Sequence, residues 1–367
     1  MRIGVPREIK AQEFRVGATP ACVTGYVADG HEVLVESAAG EGAGFSDAAY
    51  VAAGAHVTKD AGETWAQDMV IKVKEPLPAE YPYLRQDQLL FTYLHLAAVP
   101  ALADALMQAG TSAIAYETVE GQSGEFVCLS PMSAIAGRLS IQQGAKYLER
   151  PFGGRGVLLG GVPGVPRGHV IILGGGVVGT QAARMAVGLG ADVTILDVSP
   201  RRLADLEELF GGRVQTLFAT ADNLATCLCR ADLVVGAVLV PGAAAPKLIR
   251  REHLGLMQSG ALIVDVAVDQ GGCVETTQPT SHVEPVFTVD GIQHYCVANM
   301  PSAVARTATQ ALVSVTTPYG RRLAGQGLLA AIAADPGLER GLNVHAGGVT
   351  HPAVARALGV PQRPLAA

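Results

Sequence analysis

The stretch from His169 to Asp197 constrains this chain more than any other. The run His169-Val-Ile-Ile-Leu ends in Gly174-Gly-Gly176-Val-Val-Gly179, a helical pattern follows, and Ala191-Asp-Val-Thr-Ile-Leu-Asp197 closes on an acid. In a chain with 44 glycines a bare glycine triplet would mean little. A triplet with a strand before it, a helix after it and an acid ending the next strand reads as a βαβ unit that holds a dinucleotide.

Each residue of that unit has a physical task. Gly174 permits a tight turn, Gly176 lets the backbone approach a pyrophosphate, and Gly179 lets helix and strand pack closely. The helix N-terminus offers unpaired N–H groups and partial positive charge to phosphates. Asp197 would accept hydrogen bonds from the adenosine ribose and repel a 2′-phosphate, which favours NAD over NADP. Arg201 and Arg202 argue the other way, because an arginine there can accommodate the extra phosphate.

A length of 367 residues suggests two domains. Hydrophobic residues make up 49% and charged residues 16%, so a large core is affordable, and the scarcity of aromatics (5%) leaves Ala, Val, Leu and Gly to fill it. That suits a parallel sheet covered by helices on both faces. A net charge of -6 argues against a nucleic-acid partner. Charges in Met1-Arg-Ile-Gly-Val-Pro-Arg-Glu occupy the place of a signal-peptide core, and the apolar runs are too short and broken to span a membrane. A cytoplasmic protein is expected. The six cysteines form no Cys-x-x-Cys pair and read as buried free thiols, and the nine histidines show no metal-ligand spacing.

Strand and helix patterns alternate along the chain. Arg2–Pro6, Glu32–Glu36, Met69–Lys74, Leu89–His95 and Ser112–Glu117 read as strands, and Pro100–Gln108 as a helix. A helix runs from Ser130, placed as its N-cap, to about Arg150. After the fingerprint come a helix over Leu203–Phe210, strands over Ala231–Val240 and Ala261–Asp269, a last strand at Tyr295–Asn299, and a long helix from Pro301 to about Gly325. The expected fold is α/β, with two Rossmann-like doubly wound domains separated by a cleft, one of them binding NAD. Residues 130–301 would form the NAD domain, and residues 1–129 with 302–367 a discontinuous substrate domain.

Four polar groups end strands or begin the loops beside them, where α/β enzymes bind ligands. They are Arg15, Lys74, His95 and Asp269. Each has a plainer reading. Arg15 could be a surface charge, Lys74 could pair with Glu75 or lie in solvent, His95 could be a core imidazole, and Asp269 could cap the Gly271-Gly272 turn. Asp87 reads as a turn residue. The four together, beside a dinucleotide fingerprint, point to chemistry.

Over essentially its whole length the chain resembles the alanine dehydrogenase family. The resemblance rests on Arg2-Ile-Gly-Val-Pro-Arg-Glu-Ile-Lys, Glu13-Phe-Arg-Val, Val73-Lys-Glu-Pro, Phe91-Thr-Tyr-Leu-His-Leu-Ala and Pro131-Met-Ser. It continues in Gly160-Gly-Val-Pro-Gly-Val, Gly236-Ala-Val-Leu-Val-Pro-Gly, Asp269-Gln-Gly-Gly-Cys and Tyr295-Cys-Val-Ala-Asn-Met-Pro. It implies a homohexamer that converts L-alanine, NAD⁺ and water reversibly to pyruvate, ammonium and NADH.

By that resemblance Arg15 and Lys74 hold the substrate carboxylate and carbonyl, His95 is the acid/base, and Asp269 activates water or ammonia. Ser133, Val178, Asp197, Arg202, Val238, Leu239, Val266, Val297, Asn299 and Met300, with the fingerprint glycines, fall at cofactor-contact positions. The chemistry suits these types: arginine grips a carboxylate in a planar fork, and histidine carries protons near neutral pH. The order in which His95 and Asp269 act stays open. Ala134, Ala219 and Gln278 depart from the family's usual Glu, Ser and Arg, which bears on NAD affinity. Other readings are a relative acting on glycine/glyoxylate or serine, a transhydrogenase-like nucleotide-binding subunit, and a non-catalytic NAD(H) sensor.

Overall fold

The computed structural model describes residues 1–238 and 245–365, without the side chains of Asp269 and Gln270. The chain divides into two compact units, Met1–Met132 with Ser302–Ala367, and Ser133–Pro301.

The first unit is built on β1 (Arg2–Val5), β2 (Glu32–Glu36), β3 (His56–Thr58), β4 (Met69–Ile71), β5 (Leu89–Thr92) and β6 (Ser112–Ala115). The second is built on β7 (His169–Leu173), β8 (Asp192–Asp197), β9 (Gln215–Phe218), β10 (Leu233–Gly236), β11 (Leu262–Asp265), β12 (Val286–Val289) and β13 (Ile292–Tyr295). The C-terminal segment returns β14 (Leu342–His345) and β15 (Gly348–Val349) to the first unit.

The first sheet runs β15-β14-β6-β5-β4-β1-β2-β3, and the second β12-β13-β11-β10-β7-β8-β9. Pairing is parallel from β3 to β6 and from β9 to β13. One side of each sheet ends in antiparallel pairing: β14 on β6 with an irregular register, β15 on β14, and β12 on β13. Each sheet therefore has a point where strand order reverses, between β1 and β4 in one and between β7 and β10 in the other. In open α/β sheets ligands bind at the carboxyl ends of strands at such points.

The central strands are short runs of Val, Ile and Leu buried on both faces, as a parallel sheet clad in helices requires. Helix starts follow local chemistry. Thr19 and Ser199 cap helices Pro20–Ala28 and Pro200–Phe210, each with proline in the first turn, where no N–H is needed. Trp65, Leu90, Leu102, Leu106 and Val344 anchor one core of the first unit. Ile171, Val234, Leu254, Ile263 and Ile292 anchor that of the second. Truncating such a side chain to Ala typically costs about 2–5 kcal/mol.

Several expectations shift. β4, β5, β10 and β11 end earlier than the apolar runs suggest, so Lys74 and His95 lie on extensions and Asp269 lies in the 3₁₀ turn Val266–Gln270. Residues 239–240 of the expected Ala231–Val240 strand lie outside the described residues. The last parallel strand is Ile292–Tyr295, so 296–299 follow it rather than form it. Ser130 is the first residue of helix Ser130–Tyr147, and its hydroxyl donates to Phe126 O rather than capping. Cys229 is exposed, whereas the other five cysteines are buried. Asp87 is a turn residue with a left-handed backbone, φ 61°.

Candidate functional site

In the first unit the loop after β1 carries Glu8, Lys10, Glu13 and Arg15, and the extension of β4 carries Lys72, Lys74 and Glu75. Arg15 is 2% exposed, which excludes the surface-charge reading. Its Nε donates to Glu13 Oε1 at 2.7 Å and its Nη2 to Oε2 at 2.5 Å, while Nη1 lies 3.1 Å from Met132 Sδ. Burial pulls the guanidinium down, but the hydrogen bond and charge of Glu13 outweigh it, and the net direction is upward. Glu13 thus grips the Nε–Nη2 edge of a planar fork and fixes its orientation.

Lys74 is also buried, with Nζ 3.5 Å from Glu75 Oε2. Of its two plainer readings, pairing with Glu75 is therefore the one observed. Glu75 is shared, because Lys10 from the β1 loop bonds its other oxygen. Burial works to raise the Glu75 carboxyl, but the charges of Lys74 and Lys10 hold it below the usual carboxylate range.

His95 lies three residues beyond β5 with a left-handed backbone, φ 49°. Its amide donates to Glu117 Oε1 at 2.6 Å, and the Leu94 amide reaches both Glu117 oxygens at 3.2 Å. The same carboxylate lies 3.9 Å from His95 Nδ1. The imidazole side chain is 40% exposed, so it is not a core histidine. Its ring stacks on Tyr93, centroids 5.8 Å apart and planes within 7°. Tyr93 is buried, donates its hydroxyl to Cys128 O at 2.7 Å, and feels the charge of Arg15. Burial pushes the Tyr93 hydroxyl far up, so it stays neutral. Tyr93 thus interacts with both the arginine and the histidine.

In the second unit Gly174 has φ 99°, and a Cβ there would meet Ala237 O at 2.8 Å. A Cβ on Gly179 would lie 1.9 Å from Gly174 O, so only glycine lets the helix Val177–Gly188 approach the strand. A Cβ on Gly176 would meet nothing within 4 Å. That open space, beside the first N–H groups of the helix, fits a pyrophosphate.

Asp197 ends β8 and braces this loop, accepting from Gly175 N at 2.7 Å and Ser199 N at 2.8 Å. Arg202 turns the same way: Nε donates to Gly175 O at 2.7 Å and Nη2 to Thr180 Oγ1 at 2.6 Å. Its guanidinium is engaged with the glycine loop, whereas Arg201 is exposed.

The other expected cofactor positions scatter over five segments. Ser133 is half-buried early in helix Ser130–Tyr147, and Val178 is half-buried in the first turn after the fingerprint. Val238 follows β10 and packs on the core. Val266 opens the 3₁₀ turn after β11. Val297 and Met300 are buried, and Asn299 between them has φ 60°. Leu239 and the Asp269 side chain lie outside the described residues.

Sequence reasoning missed the acids that hold these groups. Asp265 is fully buried and accepts from Ala267 N at 3.1 Å, Cys273 N at 2.9 Å and Thr277 Oγ1 at 2.9 Å. It ties down the turn that carries Asp269, and burial raises its carboxyl. A carboxylate closing an apolar strand was its one sequence signal. Among the described residues no group of three or more His, Cys, Asp or Glu could hold a metal, and no helix is long and apolar enough to cross a membrane.

Comparison with known proteins agrees with the geometry. Residues 4–136 match the family described as alanine dehydrogenase/PNT, N-terminal domain, and residues 140–352 match its C-terminal domain. The chain is 53% identical over 361 residues to an alanine dehydrogenase of Halomonas elongata, covering 98% of this chain and 97% of that one. It is equally identical to one of Bacillus subtilis, covering 98% and 95%. A solved L-alanine dehydrogenase superposes with a TM-score of 0.95 at 57% identity, covering 98% of this chain and 99% of that chain. A transhydrogenase of Sinorhizobium meliloti shares the fold at a TM-score of 0.82 and 25% identity, covering 96% and 100%. Matched in both halves and along nearly its full length, the chain belongs to the alanine dehydrogenase/PNT family.

Proposed function

We propose that this chain catalyses the reversible, NAD-dependent oxidative deamination of L-alanine to pyruvate and ammonium. The observation that carries the proposal is 53% identity over 98% of the chain to relatives named alanine dehydrogenase. The buried Arg15, held in a fork by Glu13, supports it, because a small 2-oxo or 2-amino acid needs a fixed cation for its carboxylate.

Arg15 binds the substrate carboxylate, and Lys74 directs its ammonium at the oxygen of the carbonyl. In the direction of deamination, His95 takes a proton from the substrate ammonium, which frees the nitrogen lone pair to assist departure of hydride from Cα. NAD⁺, when bound, supplies the hydride acceptor. The resulting iminium takes up water, and loss of ammonia leaves pyruvate. Asp269 orients that water or steadies the departing ammonium. Tyr93, neutral and pinned to Cys128 O, fixes the plane of the imidazole.

Gly174, Gly176 and Gly179 with the helix N-terminus hold the pyrophosphate, and Ser133, Val178, Asp197, Arg202, Val238, Leu239, Val266, Val297, Asn299 and Met300 line the cofactor. Asp197 selects NAD. Arg202 supports the loop rather than a 2′-phosphate, since its guanidinium is spent on Gly175 O and Thr180 Oγ1. Residues 133–301 serve the cofactor and the remainder serves the substrate. We further propose a cytoplasmic homohexamer.

The test is NADH oxidation by the purified protein with pyruvate, with and without ammonium. Oxidation that requires both is expected. Oxidation with pyruvate alone would mean a hydroxy-acid dehydrogenase, and NADH binding without turnover a transhydrogenase-like or sensor protein.

A further inference from the structure

Lys72 is a fully buried lysine that the reaction does not use. Its Nζ lies 3.1 Å from Glu8 Oε2 and 2.8 Å from Glu80 Oε1, and 5.7 Å over the Trp65 ring. The side chains of Glu8 and Glu80 are 3% and 5% exposed. Three buried charges in one place are a weak device for stability, since desolvation consumes most of their attraction. Their placement suggests another purpose.

The two acids differ in what their remaining oxygens do. Glu80 Oε2 accepts from Leu77 N at 2.8 Å, within its own turn. Glu8 Oε1 accepts from Val73 N at 2.6 Å and from Lys74 N at 3.2 Å. The extension beyond β4 is thereby held by a side chain from the loop after β1. Two residues further on, Lys10 bonds Glu75, which pairs with Lys74 Nζ. The same loop continues to Glu13 and Arg15.

We infer that Glu8 is a positioning residue for substrate recognition: braced by Lys72, it fixes the backbone of Lys74 relative to the loop that carries Arg15. The two cations are thereby presented together to the carboxylate and carbonyl of a 2-oxo acid. Lys72 keeps Glu8 aimed, and its charge opposes the burial that raises the Glu8 carboxyl overall. The inference rests on the proposed substrate role of Lys74.

The test compares E8Q with E80Q in the full-length enzyme. Both remove one carboxylate from Lys72, so both lower the melting temperature. Of the two acids, Glu8 is the one that bonds the Lys74 backbone. E8Q is expected to raise KM for pyruvate about tenfold or more, as small misplacements of binding groups do, with KM for NADH within about twofold. E80Q is expected to leave KM for pyruvate within about threefold. Equal effects of the two variants, or none from E8Q, would overturn the inference. If E8Q does not fold, E8D, which keeps the charge on a shorter stem, is read against the same limits.

K74M separates the inference from its foundation. If K74M raises KM for pyruvate while E8Q does not, the positioning role fails and the reading of Lys74 stands. If K74M leaves KM unchanged, the substrate role of Lys74 fails and the inference falls with it.

Discussion

Both sheets reverse strand order beside their first strand, β1 in one and β7 in the other, yet the loops at those two points share little chemistry. The β7 loop is made of glycine and offers backbone N–H groups. Its charged neighbours, Asp197 and Arg202, face inward and take the N–H and C=O of Gly175. The β1 and β4 segments offer side-chain cations instead, each paired with an acid: Arg15 with Glu13, Lys74 with Glu75, Lys72 with Glu8 and Glu80. Backbone donors are fixed by the fold and need only room. Side-chain donors are flexible and need carboxylates to aim them. A long dinucleotide suits the first arrangement, because its phosphates can lie along a helix end. A small oxo acid presents few atoms, and recognition must come from a few exact charges.

If that contrast holds, replacing a reacting side chain in the first unit should cost far more in turnover than in binding. His95→Ala is expected to lower kcat about 10²–10⁴-fold, the usual contribution of a general acid/base, with NADH affinity little changed. A variant within a few-fold of wild type in steady-state assays would break it. In the second unit the effect should reverse. Gly179→Ala puts a methyl 1.9 Å from Gly174 O, so the helix must shift. Overpacking of about 1–3 kcal/mol translates to NADH binding weaker by roughly 5- to 150-fold, readable by fluorescence titration. Normal NADH affinity would show that the close approach of helix and strand is dispensable. The smallest expected effect sharpens the role of Asp197. Asp197→Ala should reduce the preference for NADH over NADPH about tenfold, in line with the loss of a charged hydrogen bond. An unchanged ratio of kcat/KM values would leave that carboxylate only its task of bracing Gly175.

The same contrast explains what could be read from the chain alone. The β7 loop was legible because Gly174 and Gly179 leave no room for a side chain, and the three glycines stand close together between two apolar runs. Arg15, Lys74, His95 and Asp269 could be picked out as polar groups near the ends of apolar runs. Their settings could not. Glu8 meets Lys74 from 66 positions away, and Glu117 meets His95 from 22 away, a pairing that only the sheet order creates. Nor could the apolar runs show where a strand stops. Val73 and Leu94 continue the hydrophobic pattern, but there Glu8 and Glu117 take the backbone amides. Strands β3, β9, β12, β14 and β15 were missed for a different reason. β3, β9 and β12 lie at sheet edges without a run of buried apolar residues, and β14 joins β6 through an irregular register.

The return of β14 to β6 also sets an order of events during synthesis. Until residue 345 has left the ribosome, β6 has no partner on its outer side, and the core around Leu90 and Leu102 lacks Val344, Val349 and Val354. The whole of Ser133–Pro301 emerges in the meantime and can complete its own sheet. The nascent chain therefore passes through a stage with one finished unit and one sheet whose edge is open to pairing with other chains. A truncation before β14 would make that stage permanent, because this four-residue strand is what pairs the outer side of β6.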